Sequence, residues 1–256
     1  MEFLEISGLD YSYHTKAGET KALSGIDLSV KKGEFLAIVG PSGCGKSTLV
    51  NLIPRLYDVT GGSVTLDGTD IRDIPRDDLR SLYGMVLQDT WLFNGTIKDN
   101  IRHGTLDATD EEVIAAAKAA HADEFITELS EGYDTILEEN GENLSQGQRQ
   151  LLTIARALLK DPKILILDEA TSSVDTRTEL LLQAAMSEIM KGRTNFVIAH
   201  RLSTIKKADE ILFIDKGTVK ERGTHKELLE KGGLYADMYY SQFGGKVSDR
   251  KLDTDN

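Results

Sequence analysis

The glycine-rich segment at residues 40–47 has the composition of a phosphate-binding loop. It reads Gly-Pro-Ser-Gly-Cys-Gly-Lys-Ser and follows an apolar run at residues 35–39. Glycine tolerates the backbone angles that point several N–H groups at one phosphate. In this pattern Lys46 can reach the β- and γ-phosphates of a nucleotide, and the Ser47 hydroxyl can ligate Mg²⁺. A plain glycine-rich turn is the alternative, but the pattern arises by chance in on the order of one random chain in a hundred, so we predict phosphate binding.

Two adjacent carboxylates follow a fully apolar run at residues 164–167. Such a run is typical of a parallel strand buried on both faces, and ligands of open α/β sheets bind at the carboxyl ends of their strands. Asp168 can hold Mg²⁺ there, and Glu169 can polarise the water that attacks a γ-phosphate. The alternative is that both acids cap the helix that follows. A phosphate loop in the same chain favours the catalytic interpretation.

His200 ends a third apolar run, at residues 196–199. We therefore expect it at the same edge of the sheet, where it could hydrogen-bond the γ-phosphate and help to orient the attacking water. A single histidine at a strand end is more often structural. The residue types alone leave its role open.

The elements that must position these residues follow an α/β pattern. Strand-like and helix-like stretches alternate, which predicts a largely parallel sheet. A helix is predicted from about residue 46 to residue 55. Buried strands are predicted at residues 35–39, 164–167, 195–199 and 210–214, and shorter antiparallel strands at residues 4–6, 8–13, 26–30 and 63–66.

Residues from about 89 to 159 are predicted to form a helical subdomain inserted into the α/β core. Thr109-Asp-Glu-Glu112 is a capping box that opens an alanine-rich helix. Further helices are predicted at residues 122–129 and 145–159.

The C-terminal part of the chain contains a second capping box, Thr224-His-Lys-Glu227, which predicts a short helix. The domain is expected to span residues 1–243. The polar and charged residues 244–256 are expected to be a disordered tail.

Composition restricts the possible partners of this 256-residue chain. Its net charge of −12 argues against general nucleic-acid binding and against direct adhesion to anionic lipid. No apolar run approaches the roughly 20 residues needed to cross a bilayer, and the first residues lack a signal-peptide pattern. The single cysteine, Cys44, suits a reducing compartment. We therefore expect a cytosolic protein that reaches a membrane only through a protein partner.

The segment Leu144-Ser145-Gln146-Gly147-Gln148 resembles the L-S-G-G-Q signature of ATP-binding cassette (ABC) proteins. The resemblance covers nearly the whole chain, to about residue 243. It implies a P-loop NTPase (RecA-like) core with an N-terminal antiparallel β-subdomain and an inserted α-helical subdomain. It also implies ATP and Mg²⁺ as ligands.

The resemblance assigns roles to further residues. Tyr13 lies where the family has an aromatic side chain that stacks on adenine. Gln88 matches the Q-loop, which contacts Mg²⁺, and residues 172–175 resemble the D-loop. His200 matches the switch histidine.

Together these arguments predict three sets of site residues. The catalytic set is Lys46, Gln88, Glu169 and His200. The nucleotide-binding set is Tyr13, Gly40, Pro41, Ser42, Gly43, Cys44, Gly45, Lys46, Ser47, Thr48, Gln88, Ser145, Gln146, Gly147, Gln148 and Asp175. The metal-binding set is Ser47, Gln88 and Asp168.

The family also implies a dimer. Two such domains pair head to tail around two ATP, so that each site joins the phosphate loop of one copy to the signature of the other. Ser145 and Gly147 begin a helix whose N-terminus can bind the γ-phosphate across the interface. The second domain could be an identical chain or a related one.

Several segments are similar to those of exporters within the family. Residues 134–141 resemble the segment with which exporters contact their transmembrane helices, although Glu138 replaces a usual glycine, and residues 87–93 and 96–101 are also exporter-like. The resemblance implies a transmembrane partner and a place at the cytoplasmic face of the cell membrane. Two alternatives are the separate ATPase subunit of an importer and a soluble cassette ATPase that acts on DNA ends or ribosomes.

Three positions raise questions that the sequence leaves open. Gln146 replaces a glycine of the signature and would be strained if that position required a positive φ. Cys44 is either an inert small side chain or a reactive thiol whose alkylation blocks ATP binding. Trp91 and Phe93 either form a groove for a transmembrane partner or pack inside the domain.

Overall fold

The computed structural model describes residues 3–15, 18–87, 90–168 and 174–242. The chain divides into two compact units. Unit one contains the described residues up to Ser81 together with those from Thr194 onward, and unit two spans Leu82–Arg193. Gln88, Glu169 and the predicted tail at residues 244–256 lie outside the described residues.

The described strands and helices follow one another in an α/β order. The strands are β1 (Leu4–Thr15), β2 (Gly18–Val30), β3 (Phe35–Val39), β4 (Gly61–Leu66), β5 (Thr69–Asp70), β6 (Tyr83–Val86), β7 (Gly95–Thr96), β8 (Ile136–Leu137), β9 (Ile164–Asp168), β10 (Thr194–Ile198), β11 (Glu210–Asp215) and β12 (Thr218–Gly223). The α-helices are α1 (Lys46–Leu52), α2 (Arg76–Ser81), α3 (Ile97–Arg102), α4 (Asp110–Ala119), α5 (Asp123–Glu128), α6 (Gln146–Lys160), α7 (Thr176–Met190), α8 (Leu202–Lys207), α9 (His225–Lys231) and α10 (Leu234–Gln242).

An antiparallel sheet of unit one has the strand order β2-β1-β4-β5, which confirms the predicted antiparallel strands. The two segments predicted at residues 4–6 and 8–13 are in fact one strand, β1. Its pairing with β2 shifts register between Ile6 and Leu9, where Gly8 has a φ of 56°. A β-bulge of this kind bends a strand without ending it, which explains why the sequence pattern breaks there.

A second sheet in unit one contains the strand order β12-β11-β3-β10. Strand β3 pairs in parallel with both β10 and β11, and residues 36–39 are fully or almost fully buried. The carboxyl ends of parallel strands meet at one edge of a sheet. The segments that follow β3, β10 and β11 therefore all start from the same edge of this sheet.

Unit two combines a parallel strand pair with most of the predicted helices. Strands β6 and β9 pair in parallel, with Val86 opposite Leu167. The predicted capping box at Thr109 is present at the start of α4, and α6 begins after Ser145 as predicted. The two-stranded ladder of β7 and β8 was not predicted, because each of its strands is only two residues long.

The helix predicted at residues 46–55 ends earlier, as α1 stops at Leu52. The reason lies at Arg55, which has a φ of 54° and cannot continue a right-handed helix. Its guanidinium group instead bonds to Asp58 and to the backbone carbonyls of Ile71 and Arg72. Tertiary contacts thus override the local helix propensity.

Side-chain caps stabilise the starts of both C-terminal helices. The predicted capping box at Thr224 and Glu227 opens α9. The buried carboxylate of Glu221 accepts hydrogen bonds from the backbone N–H groups of Leu234 and Tyr235, at 3.0 and 2.9 Å, and so caps α10. Across the described part of the chain, no helix combines the length and the apolar character that a bilayer crossing requires.

Candidate functional site

The phosphate loop connects β3 to α1 and has the backbone angles that only glycine adopts freely. Gly40, Gly43 and Gly45 have φ values of 145°, 74° and 108°. A Cβ atom on Gly40 would overlap the backbone oxygen of Ile214, and one on Gly45 would lie 2.8 Å from Leu23 Cδ2. Both the backbone angles and the packing therefore exclude a larger residue at Gly40 and at Gly45.

The Lys46 side chain folds back over this loop and is 7% exposed. Its Nζ donates hydrogen bonds to the carbonyl oxygens of Gly40 and Pro41, at 2.8 and 2.9 Å. Among the described residues no carboxylate pairs with it. A buried ammonium group that only neutral dipoles satisfy favours the approach of an anion.

A cavity of about 430 Å³ opens beside the loop, entirely within unit one. Its lining residues are Tyr13, Thr20, Lys21, Ala22, Gly43, Gly45, Lys46, Ser47, Thr48, Lys216 and Gly217. The structure thus brings together several residues that the sequence predicted to bind nucleotide. Pro41 and Ser42 are exposed on the same loop.

Tyr13 lies at the wall of this cavity and is 38% exposed. Its hydroxyl lies 3.1 Å from Thr48 Oγ1, and Tyr11 packs edge-on against its ring at a centroid distance of 5.0 Å. One hydrogen bond and one aromatic neighbour fix the ring while part of it stays accessible. An exposed aromatic face in this position can stack on a base.

Sequence analysis missed the part of the cavity formed by the turn between β11 and β12. Gly217 donates a backbone hydrogen bond to Cys44 O at 2.9 Å and accepts one from Ser24 N at 2.8 Å. A Cβ atom on Gly217 would overlap the backbone oxygen of Ala22. The Lys216-Gly217 dipeptide between two strands is a turn signal, so the turn could have been predicted but not its contact with the phosphate loop.

Cys44 is buried, with 5% of its surface exposed, and its Sγ lies 3.7 Å from Lys46 Nζ. Of the two interpretations of this residue, this geometry favours the inert side chain. Alkylation of the thiol would require the loop to open first.

His200 follows β10 and is exposed. Strand β10 pairs with β3 so that Ile198 lies opposite Ile38, and Ala199 N donates to Ile38 O at 3.1 Å. His200 is two residues beyond Ile198, as Gly40 is two residues beyond Ile38. The histidine therefore emerges at the sheet edge from which the phosphate loop starts.

The predicted metal ligands are divided between the two units. Ser47 is exposed on the cavity of unit one, and Asp168 is the last residue of β9 in unit two. In the described ranges no three His, Cys, Asp or Glu residues cluster as a metal site.

The signature segment, residues 144–150, forms the N-terminus of α6 in unit two. Ser145 caps the helix: its Oγ accepts from Gln148 N at 3.3 Å, and its own N–H donates to Gln148 Oε1 at 2.9 Å. Gln146 is the first residue of α6 and does not have a positive φ. The condition under which Gln146 would be strained is therefore not met, because a right-handed helical residue needs no glycine.

Arg149, whose role was not predicted from the sequence, stabilises the approach to this helix. Its guanidinium group donates to the carbonyl oxygens of Leu144 and Gly141, at 2.8 and 3.3 Å. These bonds hold the segment before the signature against α6. The residue type of an arginine gives no such signal by itself.

Asp175 caps α7 in unit two. Its carboxylate accepts hydrogen bonds from the backbone N–H groups of Arg177 and Thr178, both at 3.1 Å. The hydrogen bond from the Thr178 side chain, together with these backbone donors, lowers the pKa of Asp175 below its usual value.

Trp91 and Phe93 form an aromatic cluster with His103 in unit two. The centroid distances are 5.9 Å between Trp91 and Phe93 and 5.5 Å between Phe93 and His103. Trp91 is 58% exposed, so packing within the unit does not account for it. Arg156 holds this segment, because its guanidinium group donates to the backbone oxygens of Trp91 and Asn100.

A strand-loop-helix phosphate site with an adjacent aromatic side chain defines a P-loop nucleotide-binding domain. The family profile described as ABC transporter matches residues 23–172, more than half of the chain. The chain therefore belongs to the ABC transporter family. The mixed α/β core, the antiparallel sheet and the helical insertion are the fold that the resemblance implied.

Two curated relatives illustrate the similarity. It is 54% identical over 241 residues to the ATP-dependent lipid A-core flippase of Desulfotalea psychrophila, covering 94% of this chain and 41% of the flippase. It is 52% identical over 219 residues to a fatty acid ABC transporter ATP-binding/permease protein of Mycobacterium bovis, covering 86% of this chain and 35% of the relative.

A solved structure of a bacterial Atm1-family ABC exporter with ATP bound superposes with a TM-score of 0.87 at 42% identity. That match covers 96% of this chain and 42% of the exporter chain. The chain thus spans about two fifths of the length of these proteins. It is an ATP-binding ATPase domain of the ABC transporter family.

Proposed function

We propose that this domain pairs head to tail with a second copy or a related domain, closes around two ATP, and powers export through a transmembrane partner. The cavity of unit one carries this proposal. At one wall is an accessible aromatic ring, Tyr13, and near the phosphate loop is a buried ammonium group, Lys46. A base and a polyphosphate require these two features in one cavity.

Nucleotide binding would change the partners of Lys46. Its hydrogen bonds to Gly40 O and Pro41 O would be exchanged for charge-assisted bonds to phosphate oxygens, which are stronger than bonds to neutral carbonyls. The backbone N–H groups of the glycine-rich loop and the positive end of α1 would add further donors. Tyr13 would stack on adenine.

Hydrolysis would use residues that follow strands of the predicted parallel sheet. We assign Glu169 to polarise the attacking water, and His200 to hydrogen-bond the γ-phosphate and orient that water. Mg²⁺ would be held by Ser47, Asp168 and Gln88, and when bound it neutralises charge on the phosphates.

The second half of each site would come from the partner domain. The first N–H groups of a helix have no acceptor within the helix, so those of α6 can bind an anion. Through Ser145 and Gly147, α6 would contact the γ-phosphate held by the phosphate loop of the other copy. Loss of that phosphate on hydrolysis removes the bridge and lets the dimer open.

The aromatic cluster of Trp91, Phe93 and His103 is our candidate contact for the transmembrane partner. Large exposed aromatic side chains are enriched where proteins bind each other. The similar proteins named above support an exporter, and attachment through such a partner would place the domain at the cytoplasmic face of the membrane. The negative net charge of the chain agrees with attachment through protein rather than lipid.

The decisive experiment is Glu169→Gln, which keeps the size of the side chain but removes the general base. The variant should bind ATP, lose about a thousandfold in turnover, and elute as a dimer in size-exclusion chromatography with Mg²⁺ and ATP. The unchanged protein with ADP is the monomeric control. A Glu169→Gln variant that stays monomeric with full turnover would refute the proposal.

A further inference from the structure

The signature helix α6 and the helix α7 approach each other closely at their N-termini in unit two. A Cβ atom on Gly147 would lie well inside 3.0 Å of Thr178 Cγ2 and 3.2 Å from Val174 Cγ1. Gly147 itself is buried and does not have a positive φ. The absence of a side chain at Gly147 therefore serves packing against α7, not a special backbone conformation.

The backbone of the same residue contacts Asp175. The Thr178 backbone N–H donates to Asp175 Oδ1 at 3.1 Å. One residue thus touches the signature with its methyl group and the D-loop residue Asp175 with its backbone N–H. Thr178 is only partly buried, so general core packing does not explain this double contact.

We propose that Thr178 is a positioning residue that fixes the signature and Asp175 relative to each other, so that they move as one body. This inference rests on the proposed function, in which both contact nucleotide or partner domain. In that dimer, a displacement of Ser145 and Gly147 by the γ-phosphate would pass through the Thr178 methyl group to the N-terminus of α7. It would reach Asp175 through the Thr178 backbone N–H.

The first experiment adds a methyl group at Gly147 and then removes the Thr178 methyl group that it would strike. Gly147→Ala should lower the ATPase kcat by about tenfold to hundredfold, because overpacking moves α6 away from α7. Thr178→Ser lacks Cγ2 and so loses the contact with Gly147, and alone it should lower kcat by about threefold to tenfold. The double variant Gly147→Ala/Thr178→Ser should recover most of the lost turnover.

Failure to recover would overturn the proposal. If Gly147→Ala is equally inactive with Thr178 and with Ser at position 178, the glycine is needed for direct contact with nucleotide. If Gly147→Ala alone keeps full turnover, the close approach has no consequence, which also overturns the proposal. Val174 would still lie 3.2 Å from the added methyl group, so a recovery short of complete agrees with the proposal.

The second experiment separates the methyl group of Thr178 from its hydroxyl group. Thr178→Val keeps the methyl contact with Gly147 and the backbone N–H that donates to Asp175, so it should retain kcat within about threefold. Thr178→Ser loses the methyl group and should lower kcat while ATP affinity, measured by calorimetry on the monomer, stays the same. Equal turnover for Thr178→Ser and the unchanged protein would show that the methyl contact plays no part.

Thermal unfolding distinguishes failure of this inference from failure of the proposed function. Overpacking at Gly147 should lower the Tm by several degrees, and Thr178→Ser should restore it, whether or not the protein hydrolyses ATP. If the unchanged protein neither binds nor hydrolyses ATP while this rescue of Tm is seen, the proposed function fails and the contact stands. If Gly147→Ala leaves the Tm unchanged both with Thr178 and with Ser at position 178, the contact itself is refuted.

Discussion

Unit one and unit two use glycine for different physical reasons. In the phosphate loop of unit one, Gly40, Gly43 and Gly45 have positive φ values that other residues adopt only with strain. In the signature of unit two, Gly147 has ordinary helical geometry and is required by the neighbouring Thr178. A glycine of the first kind can be replaced only at the cost of backbone strain, whatever its neighbours, whereas one of the second kind can be replaced without strain if its neighbour becomes smaller.

The strongest test of this contrast is Gly40→Ala. The added Cβ would strike the backbone oxygen of Ile214 at a φ of 145°, so strain and overpacking together should lower the free energy of unfolding by about 4 kcal/mol. Urea denaturation measures this loss. Gly68→Ala is the control, since Gly68 has a φ of 79° with nothing within 4 Å, and it should lose only about 1 kcal/mol. Equal losses in the two variants would show that local crowding is unimportant.

Lys46→Ala should have the next largest effect. Removing the ammonium group eliminates charge-assisted bonds to phosphate, so the Kd for ATP should rise by about a hundredfold. Isothermal titration calorimetry gives the value, and Lys118→Ala on α4 of unit two serves as a charge-matched control. Unchanged ATP affinity in Lys46→Ala would contradict the assignment of the phosphate loop.

Tyr13→Ala should have a smaller effect that depends on the base. Loss of the stacking surface should weaken ATP by about tenfold, but inorganic triphosphate hardly at all. Tyr13→Phe keeps the ring and loses only the hydroxyl contact with Thr48, so it should bind ATP nearly normally. If Tyr13→Ala weakens ATP and triphosphate equally, Tyr13 does not stack on adenine.

The smallest effect is expected for Ser145→Ala, which removes one helix cap and is compared with Thr109→Ala, which removes another. Ser145 and Thr109 each form a capping box, so Ser145→Ala and Thr109→Ala should each cost about 1 kcal/mol of stability. Only Ser145→Ala should also reduce ATPase turnover, because only α6 is proposed to contact nucleotide. Equal turnover in the two variants would count against a role for Ser145 beyond capping.

Sequence patterns predicted the elements that carry strong local signals. The apolar runs that became β3, β9, β10 and β11 and the capping boxes of α4 and α9 depend on neighbouring residues alone. The phosphate loop was found because its chemistry requires a fixed spacing. Elements set by distant contacts were missed or misjudged, such as the early end of α1 at Leu52 and the β7–β8 ladder.

The same division applies within the site. Tyr13, Lys46 and Ser47 were predicted and line one cavity. Gly217 was not, because its contact with the backbone of Cys44 joins residues far apart in sequence. Whether Gln146 is strained was left open by the sequence for a similar reason. The signature pattern shows which residue type is usual there, but not the backbone angle that the position requires.

The turn at Gly217 also affects the order in which the protein can be built on the ribosome. Synthesis proceeds from the N-terminus, so the phosphate loop emerges long before Lys216 and Gly217, which complete its wall. Unit two is one continuous stretch of chain, Leu82–Arg193, whereas unit one needs residues from both sides of it. The helical unit can therefore finish first, and a nascent chain gains its complete nucleotide cavity only after Lys216 and Gly217 have been synthesised.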